Sequence, residues 1–330
     1  MNRKTIVLAT TTAAVAAGVG IAFAVVPGSG GGGAAHSAHP GGGDGTGALA
    51  TVSGPNRPDA VFFAGSLDGA SEVPTAGGPA VGDKDGRAIA FLRVQGDEVS
   101  FAFSFRGIAA PTAAHVHLGE RGKNGEVKIP FFARKVADGK TSVAGTVKVG
   151  DRKLLADLKS RPGGFYFNLH TGEFPGGAVR GQVNRLSVPL DMNTAMKSFR
   201  SSVVKGSQIY ACAKREDGTF AFAQDNVNAT LDGGIAHSFV TPGGAPRWIA
   251  PDRSAVTGEL VARVPNGEGN IPELDLRATR SGAAGGLFAP TVEILRLNTR
   301  GGAAPSGSCD PARQPKAAVP YRADYLFIAK

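Results

Sequence analysis

Apolar and polar positions alternate along most of the chain after residue 59, and this period-2 pattern predicts β-strands. Turns rich in Gly, Pro and Asp separate the segments. In the first half the predicted strands are 60–67, 87–94, 98–105, 125–132, 142–149, 164–170 and 178–186. In the second half they are 207–214, 219–223, 229–231, 247–250, 256–264, 274–279, 291–298 and 321–328. The best helix candidate in the first half is the short amphipathic segment 151–159.

Strands spaced by about ten residues predict an all-β protein of Greek-key type. We expect two tandem β-sandwich or barrel-like domains, at residues 60–186 and 204–330. The strand pattern lapses between them, so residues 187–203 are the predicted linker. No repeat period marks a solenoid or a propeller.

The N-terminus predicts export. Arg3 and Lys4 precede an apolar run over residues 6–26, and a small-x-small cleavage site ends at Ala24. We therefore predict a signal peptide at 1–24 and a secreted or cell-envelope protein. The alternative is an uncleaved membrane anchor, which would be the protein's one contact with a membrane. Residues 25–59 are Gly-rich and predict a flexible linker.

The formal net charge is +9, from 36 Lys and Arg against 27 Asp and Glu. This charge is spread along the chain, with no basic stripe of the kind that binds nucleic acid. We expect no nucleic-acid partner.

The chain has two cysteines, Cys212 and Cys309, and neither has metal-site spacing to a histidine. In an oxidising compartment such a pair predicts one disulfide. Two buried free thiols are the alternative.

The first domain holds a group of histidines. His115 and His117 are two residues apart, so a strand would place both imidazoles on one face. His170, followed three residues later by Glu173, could complete a three-nitrogen set for Zn or Cu. The alternative is a structural role, in which these rings are buried and bond backbone carbonyls. Catalysis is a third interpretation.

Three motifs in residues 60–186 resemble the chordin-type (CHRD) domain. They are the segment from Leu67 to Pro74, the Ala-His-x-His-x-Gly centre, and a closing Asn-x-His-Thr…Pro-Gly-Gly-x-x-Arg-Gly-Gln. The resemblance implies an extracellular β-sandwich module of unsettled biochemical role. Ala178 stands where the family often has Glu. The His-Val-His strand also resembles the copper-ligand strand of copper-zinc superoxide dismutase. That enzyme needs four copper-ligand histidines and this domain has three, which argues against dismutase activity.

Arg180 lies in the closing motif, on a predicted terminal strand. We expect it to pair with Glu173, Glu72 or Asp68 and so fix the edge of the domain. The alternative is that Arg180 binds an anionic ligand.

Residues 200–330 resemble a secreted bacterial and fungal domain of unknown function. The matching pieces include Gly-Ser-Gln-Ile-Tyr-Ala-Cys, ending at Cys212, and Asp-Arg-Ser-Ala-Val-Thr-Gly, starting at Asp252. The family usually has Trp after the Ile-Pro pair, where this chain has Glu273. His237, Trp248 and Asp252 could line a small-molecule or glycan pocket, with the indole as a stacking face. The alternative is that Trp248 is in the core and His237 caps a turn.

A nucleophile-elbow motif and a P-loop are both absent from the sequence. The leading expectation is an exported, non-catalytic binding or cell-envelope protein. Its partner would be an extracellular protein, a glycan or a small molecule. The alternatives are a Zn or Cu protein using the three histidines, and a ligand-binding protein acting through its second domain.

Overall fold

The computed structural model describes residues 54–330, which form two β-rich modules. The predicted signal peptide and residues 25–53 of the predicted linker lie outside the described residues. Within residues 54–330, no helix has the length and apolar character needed to cross a membrane.

The first module is one continuous antiparallel sheet with the order β5-β4-β7-β8-β1-β2-β3-β6, and β9 pairs with β1. Its strands are β1 (Val61–Asp68), β2 (Arg87–Gln95), β3 (Glu98–Arg106), β4 (Ala113–Leu118), β5 (Val127–Phe132), β6 (Ser142–Lys148), β7 (Phe165–His170), β8 (Val179–Gln182) and β9 (Asn184–Arg185). The predicted strands are confirmed, and β4 adds a strand that only the His115 and His117 pair indicates. One curled sheet forms this module.

Contacts between distant strands show how strongly this sheet curls. Phe101 on β3 stacks on Phe131 of β5 with ring centroids 4.5 Å apart, although several strands separate them in the sheet order. Phe103 meets Phe167 of β7 edge to face at 6.0 Å. The alternate residues of β3 therefore fill a single barrel-like core.

The helix prediction is confirmed by α1 (Arg152–Ser160). Asp151 caps it, since its carboxylate accepts a hydrogen bond from the Leu154 amide at 2.9 Å. The helix buries Leu155 and Leu158 against the core of the first module.

The second module is a closed barrel of eight antiparallel strands in chain order. They are β10 (Phe199–Lys214), β11 (Phe220–Leu231), β12 (Ile235–Phe239), β13 (Pro246–Ile249), β14 (Ser254–Val264), β15 (Glu273–Gly282), β16 (Thr291–Gly301) and β17 (Lys316–Ala329). Trp248, Phe288, Tyr325 and Phe327 fill the barrel. The all-β, two-module architecture is thus confirmed. The strands of this barrel follow chain order, so its topology is up-and-down and not the expected Greek key.

A third apolar cluster lies between the modules. It joins outward-facing residues of the first sheet, such as Phe62 and Phe91, to Leu326 and Ile328 of β17. Leu190 and Met192, from the segment that connects the modules, complete it. Apolar burial of this kind couples the two modules energetically.

Candidate metal centre

The three histidines of the first module come from two neighbouring strands. On β4, Ala114 and Val116 face the core, so His115 and His117 face the other side of the sheet. In the antiparallel register, His170 of β7 is opposite Ala113, two residues before His115. Residues opposite one another share a face, so the period-2 pattern brings all three imidazoles together.

The imidazoles converge on one point. His115 Nδ1 lies 3.2 Å from His170 Nε2. One ring nitrogen from each of the three histidines lies within 4.8 Å of the other two. His117 is 8% exposed and its ring stacks on Tyr166 at 4.7 Å, which holds its orientation.

Backbone carbonyls fix two of the three rings. Gly125 O accepts a hydrogen bond from His117 Nδ1, and Pro175 O accepts one from His170 Nδ1, each at 3.0 Å. A carbonyl accepts only, so each Nδ1 carries the proton and each Nε2 keeps its lone pair. Such second-sphere bonds are typical of metal-binding histidines.

Position 125 requires glycine, because a Cβ there would lie 1.5 Å from Leu118 O.

Burial keeps all three rings neutral. It lowers the pKa of His115 to about 3, and the adjacent His170 and His117 lower it further. Burial is also the main cause that lowers the pKa of His117 and of His170. Neutral imidazole is the form that binds metals, so these ligands need not lose a proton at neutral pH.

The separation of the His115 and His170 nitrogens suits a tetrahedral ion. Zn–N bonds of about 2.0–2.1 Å at tetrahedral angles separate two ligand nitrogens by about 3.3 Å, close to the 3.2 Å between His115 and His170. His117 Nε2 is buried and has no hydrogen-bond partner among the described residues. Three neutral nitrogens fit Zn or Cu and leave at least one coordination position for another ligand.

Beside the histidines are polar groups that sequence reasoning did not assign to the site. Asn168, opposite His115 in the register, donates to Glu72 at a long 3.4 Å. Asn168 Oδ1 and Glu72 Oε1 are buried without hydrogen-bond partners among the described residues. Burial raises the pKa of Glu72 to about 8, while Arg180 opposes that shift. Only the position of Glu72 in the opening motif could have indicated it.

Arg180 is 1% exposed and holds the loop before Gly125. It donates to the carbonyls of Glu120 and Lys123 at 3.0 and 2.7 Å and to Asn124 Oδ1 at 3.1 Å. Its guanidinium lies 3.5 Å above the Tyr166 ring. Its hydrogen bonds therefore go to loop oxygens, and of the predicted carboxylates Glu72 interacts with it electrostatically, without a hydrogen bond.

Glu173, the fourth residue of the predicted histidine group, is exposed and lies outside the cluster of three imidazoles.

In the second module the structure brings together two of the three candidate pocket residues. His237 and Trp248 stack at 4.3 Å inside the barrel, and His237 Nδ1 bonds Arg247 O at 2.9 Å. Trp248 is 1% exposed, so its indole is a core side chain. Asp252 lies in the turn after β13, where it accepts hydrogen bonds from Ser254 and the Leu287 amide.

Cys212 and Cys309 form a disulfide across 97 residues, as the sequence predicts. The bond ties β10 to the segment between β16 and β17.

Taken together, the fold and the site define an all-β protein of two barrel-like modules, the first of which carries a cluster of three histidines. Residues 63–183 match the CHRD domain family. Residues 228–329 match a second family, described as protein of unknown function (DUF3455). Both resemblances predicted from the sequence are confirmed. No curated protein and no solved structure matches the chain.

Proposed function

We propose that this is an exported β-rich protein whose CHRD module binds one Zn or Cu ion through His115, His117 and His170. The observation that carries the proposal is the buried Nε2 of His117. This nitrogen lacks a hydrogen-bond partner among the described residues, and one ring nitrogen from each of the three histidines lies within 4.8 Å of the other two.

A purely structural histidine cluster accounts less well for this arrangement. A proton shared between His115 and His170 would satisfy those two rings at 3.2 Å. It would leave the lone pair of His117 Nε2 buried and unpaired, which costs about 1–3 kcal/mol. A metal ion satisfies all three nitrogens at once.

Export is supported by three independent features. The N-terminus has the pattern of a signal peptide, with Arg3 and Lys4 ahead of an apolar run. Cys212 and Cys309 form a disulfide, which is typical of oxidising compartments. The match to the CHRD domain family agrees with an extracytoplasmic location.

We further propose a binding or cell-envelope role without turnover. The open coordination position would then hold a side chain or a small ligand supplied by the extracellular partner. Turnover of a glycan, a peptide or superoxide by the purified protein, abolished by His115→Ala, would contradict this role. A ligand pocket in the second module is not proposed, because its only indole, Trp248, is packed in the barrel core.

The test is the metal content of the full exported chain after chelation and reloading with Zn or Cu. We expect one ion per chain, a raised melting temperature with metal, and loss of both in His117→Ala. The matched control is the double variant His36→Ala/His39→Ala, which removes the two histidines of the N-terminal segment. Absence of stoichiometric metal, or metal kept by His117→Ala and lost by the control, would refute the proposal.

A further inference from the structure

The C-terminal half of β14 is an exposed strand with one free edge. The short strand β13 pairs only with Ala255, Val256 and Thr257 of β14. In the following segment, residues 259–264 except the bulged Val261 pair with β15 on one side, and no strand among the described residues pairs with this segment on the other side. All six residues are exposed.

This segment is also unusually apolar for a surface strand. Leu260, Val261 and Val264 are 51%, 42% and 55% exposed. They make up three of the eight large apolar side chains that are exposed in residues 54–330. A free edge with apolar, β-branched residues is a template for pairing with another strand.

Strand β11 also extends beyond a shorter neighbour, β12, but loop residues cover the edge that this leaves. The segment of β11 that extends beyond β12 is bridged by Ser308, which pairs with Ala221, and by the Cys309 amide, which donates to Phe220 O. The amide of Gly243 covers Asp225 O on the same edge. Loop backbone thus covers the edge of β11. Within residues 54–330, no backbone hydrogen bond outside the β15 ladder involves residues 259–264.

The free edge of residues 259–264 is complementary to the same edge of a second copy of the chain. Antiparallel pairing of two copies about a two-fold axis at Val261 would place Glu259 of one copy opposite Arg263 of the other, twice. Opposite charges across an antiparallel pair are favourable, and a two-fold interface uses the same patch on both copies. A bulge leaves Val261 without an opposing residue on β15.

From this free edge and its charge pattern, we propose that the chain forms a homodimer, in which residues 259–264 of β14 pair edge to edge with the same residues of a second copy. The pairing would supply backbone hydrogen bonds to the free edge. It would also cover Leu260 and Val264 from solvent. This inference is independent of the metal site.

The test is the molar mass of the full exported chain across a concentration series, by light scattering and sedimentation. We expect a reversible dimer whose dissociation constant rises at least about tenfold in Val261→Lys, which places two Lys face to face at the axis. Val204→Lys is the matched control, since Val204 is a Val of similar exposure on another strand, and its dimer should be unchanged.

Charge reversal gives a second measurement that does not depend on the apolar contact. Glu259→Arg and Arg263→Glu should each weaken the dimer about tenfold, and the double variant should restore it. A monomer at millimolar concentration would overturn the proposal. So would a dimer that Val261→Lys and both charge reversals leave unchanged, because another surface would then hold it together.

Discussion

Ser66 Oγ donates a 3.0 Å hydrogen bond to Asp324 Oδ2, which links β1 of the first module to β17 of the second. Arg200 and Asn298 donate to the same carboxylate at 2.8 Å each. Arg200 also donates to Leu67 O at 3.0 Å. This buried polar network adjoins the apolar cluster between the modules, so the two modules share one stabilising interface.

Asp324→Ala is expected to destabilise both modules together. The change leaves Arg200 as a buried charge without its closest carboxylate, and such a loss costs about 3–5 kcal/mol. Chemical denaturation should show a single transition that moves as a whole. Asp138→Ala, at an exposed surface pair with Lys135, is the control and should change stability by less than about 0.5 kcal/mol. Two separate transitions, with only the second one shifted, would contradict the coupling.

Loss of the disulfide is expected to lower stability by about 4–5 kcal/mol in the chain-entropy account. The bond spans 97 residues, so its removal frees a long loop in the unfolded chain. The double variant Cys212→Ala/Cys309→Ala should show this loss in urea denaturation, and the reduced wild-type chain should match it. Equal stability of the oxidised and reduced chains would argue against it.

The fold and part of the site could be predicted because both follow from local periodicity. His115 and His117 share a face in any β-strand, and two cysteines in an oxidising compartment allow one pairing. Two strands are missing from the predicted set. Strand β4 (Ala113–Leu118) is indicated only by its pair of histidines, and the five residues of β12 (Ile235–Phe239) are too few for a clear alternation beside the turn glycines.

Other features depend on contacts between residues distant in sequence. The oxygens that orient the rings, Gly125 O and Pro175 O, belong to loops whose course no alternation pattern encodes. For the same reason the sequence did not indicate the loop oxygens that accept the hydrogen bonds of Arg180. The sequence alone could not show that Asp252 lies apart from Trp248. Asp252 accepts a hydrogen bond from the amide of Leu287, which is distant in sequence.

The stabilisation contributed by Glu293 is expected to fall as pH rises from about 5 to about 8. Burial raises the pKa of Glu293, and the neighbouring Asp275 raises it further. The folded state therefore favours the protonated carboxyl. The stabilisation from Glu293 is complete below the pKa that this carboxyl has in the unfolded chain. It is lost as the pH rises through the higher pKa of the folded state. Glu72, whose pKa burial raises to about 8, acts with the same sign.

Glu293→Gln should remove this contribution, so that relative to wild type the variant loses less stability as pH rises. The amide stays neutral, and its oxygen can still accept the hydrogen bonds that Ser187 donates through its amide and hydroxyl at 2.7 and 2.8 Å. Urea midpoints measured across the range provide the test. Glu216→Gln, at an exposed position between β10 and β11, is the control and should keep the wild-type slope. Identical slopes for Glu293→Gln and wild type would remove Glu293 as a source of the dependence.

Arg180 is expected to control metal affinity without contacting the metal. It binds the loop oxygens of Glu120, Lys123 and Asn124, and this loop delivers Gly125 O to His117. In Arg180→Ala the loop that carries Gly125 O loses its hydrogen bonds to the guanidinium, so the His117 ring is less well oriented. Loss of such a second-sphere contact typically lowers metal affinity by about 10–100-fold. Arg180→Lys should fall between, because an ammonium lacks the planar fork that reaches several oxygens.

Competition against a chromophoric chelator measures this affinity, and circular dichroism of the metal-free variants confirms that they are folded. The control is Lys123→Ala, which removes an exposed side chain paired with Glu120 and keeps the carbonyl that Arg180 binds. Its affinity should stay within about twofold of wild type. If hydrogen exchange shows the loop loosened in Arg180→Ala while the affinity is unchanged, the Gly125 carbonyl does not set the orientation of His117, and the second-sphere role fails.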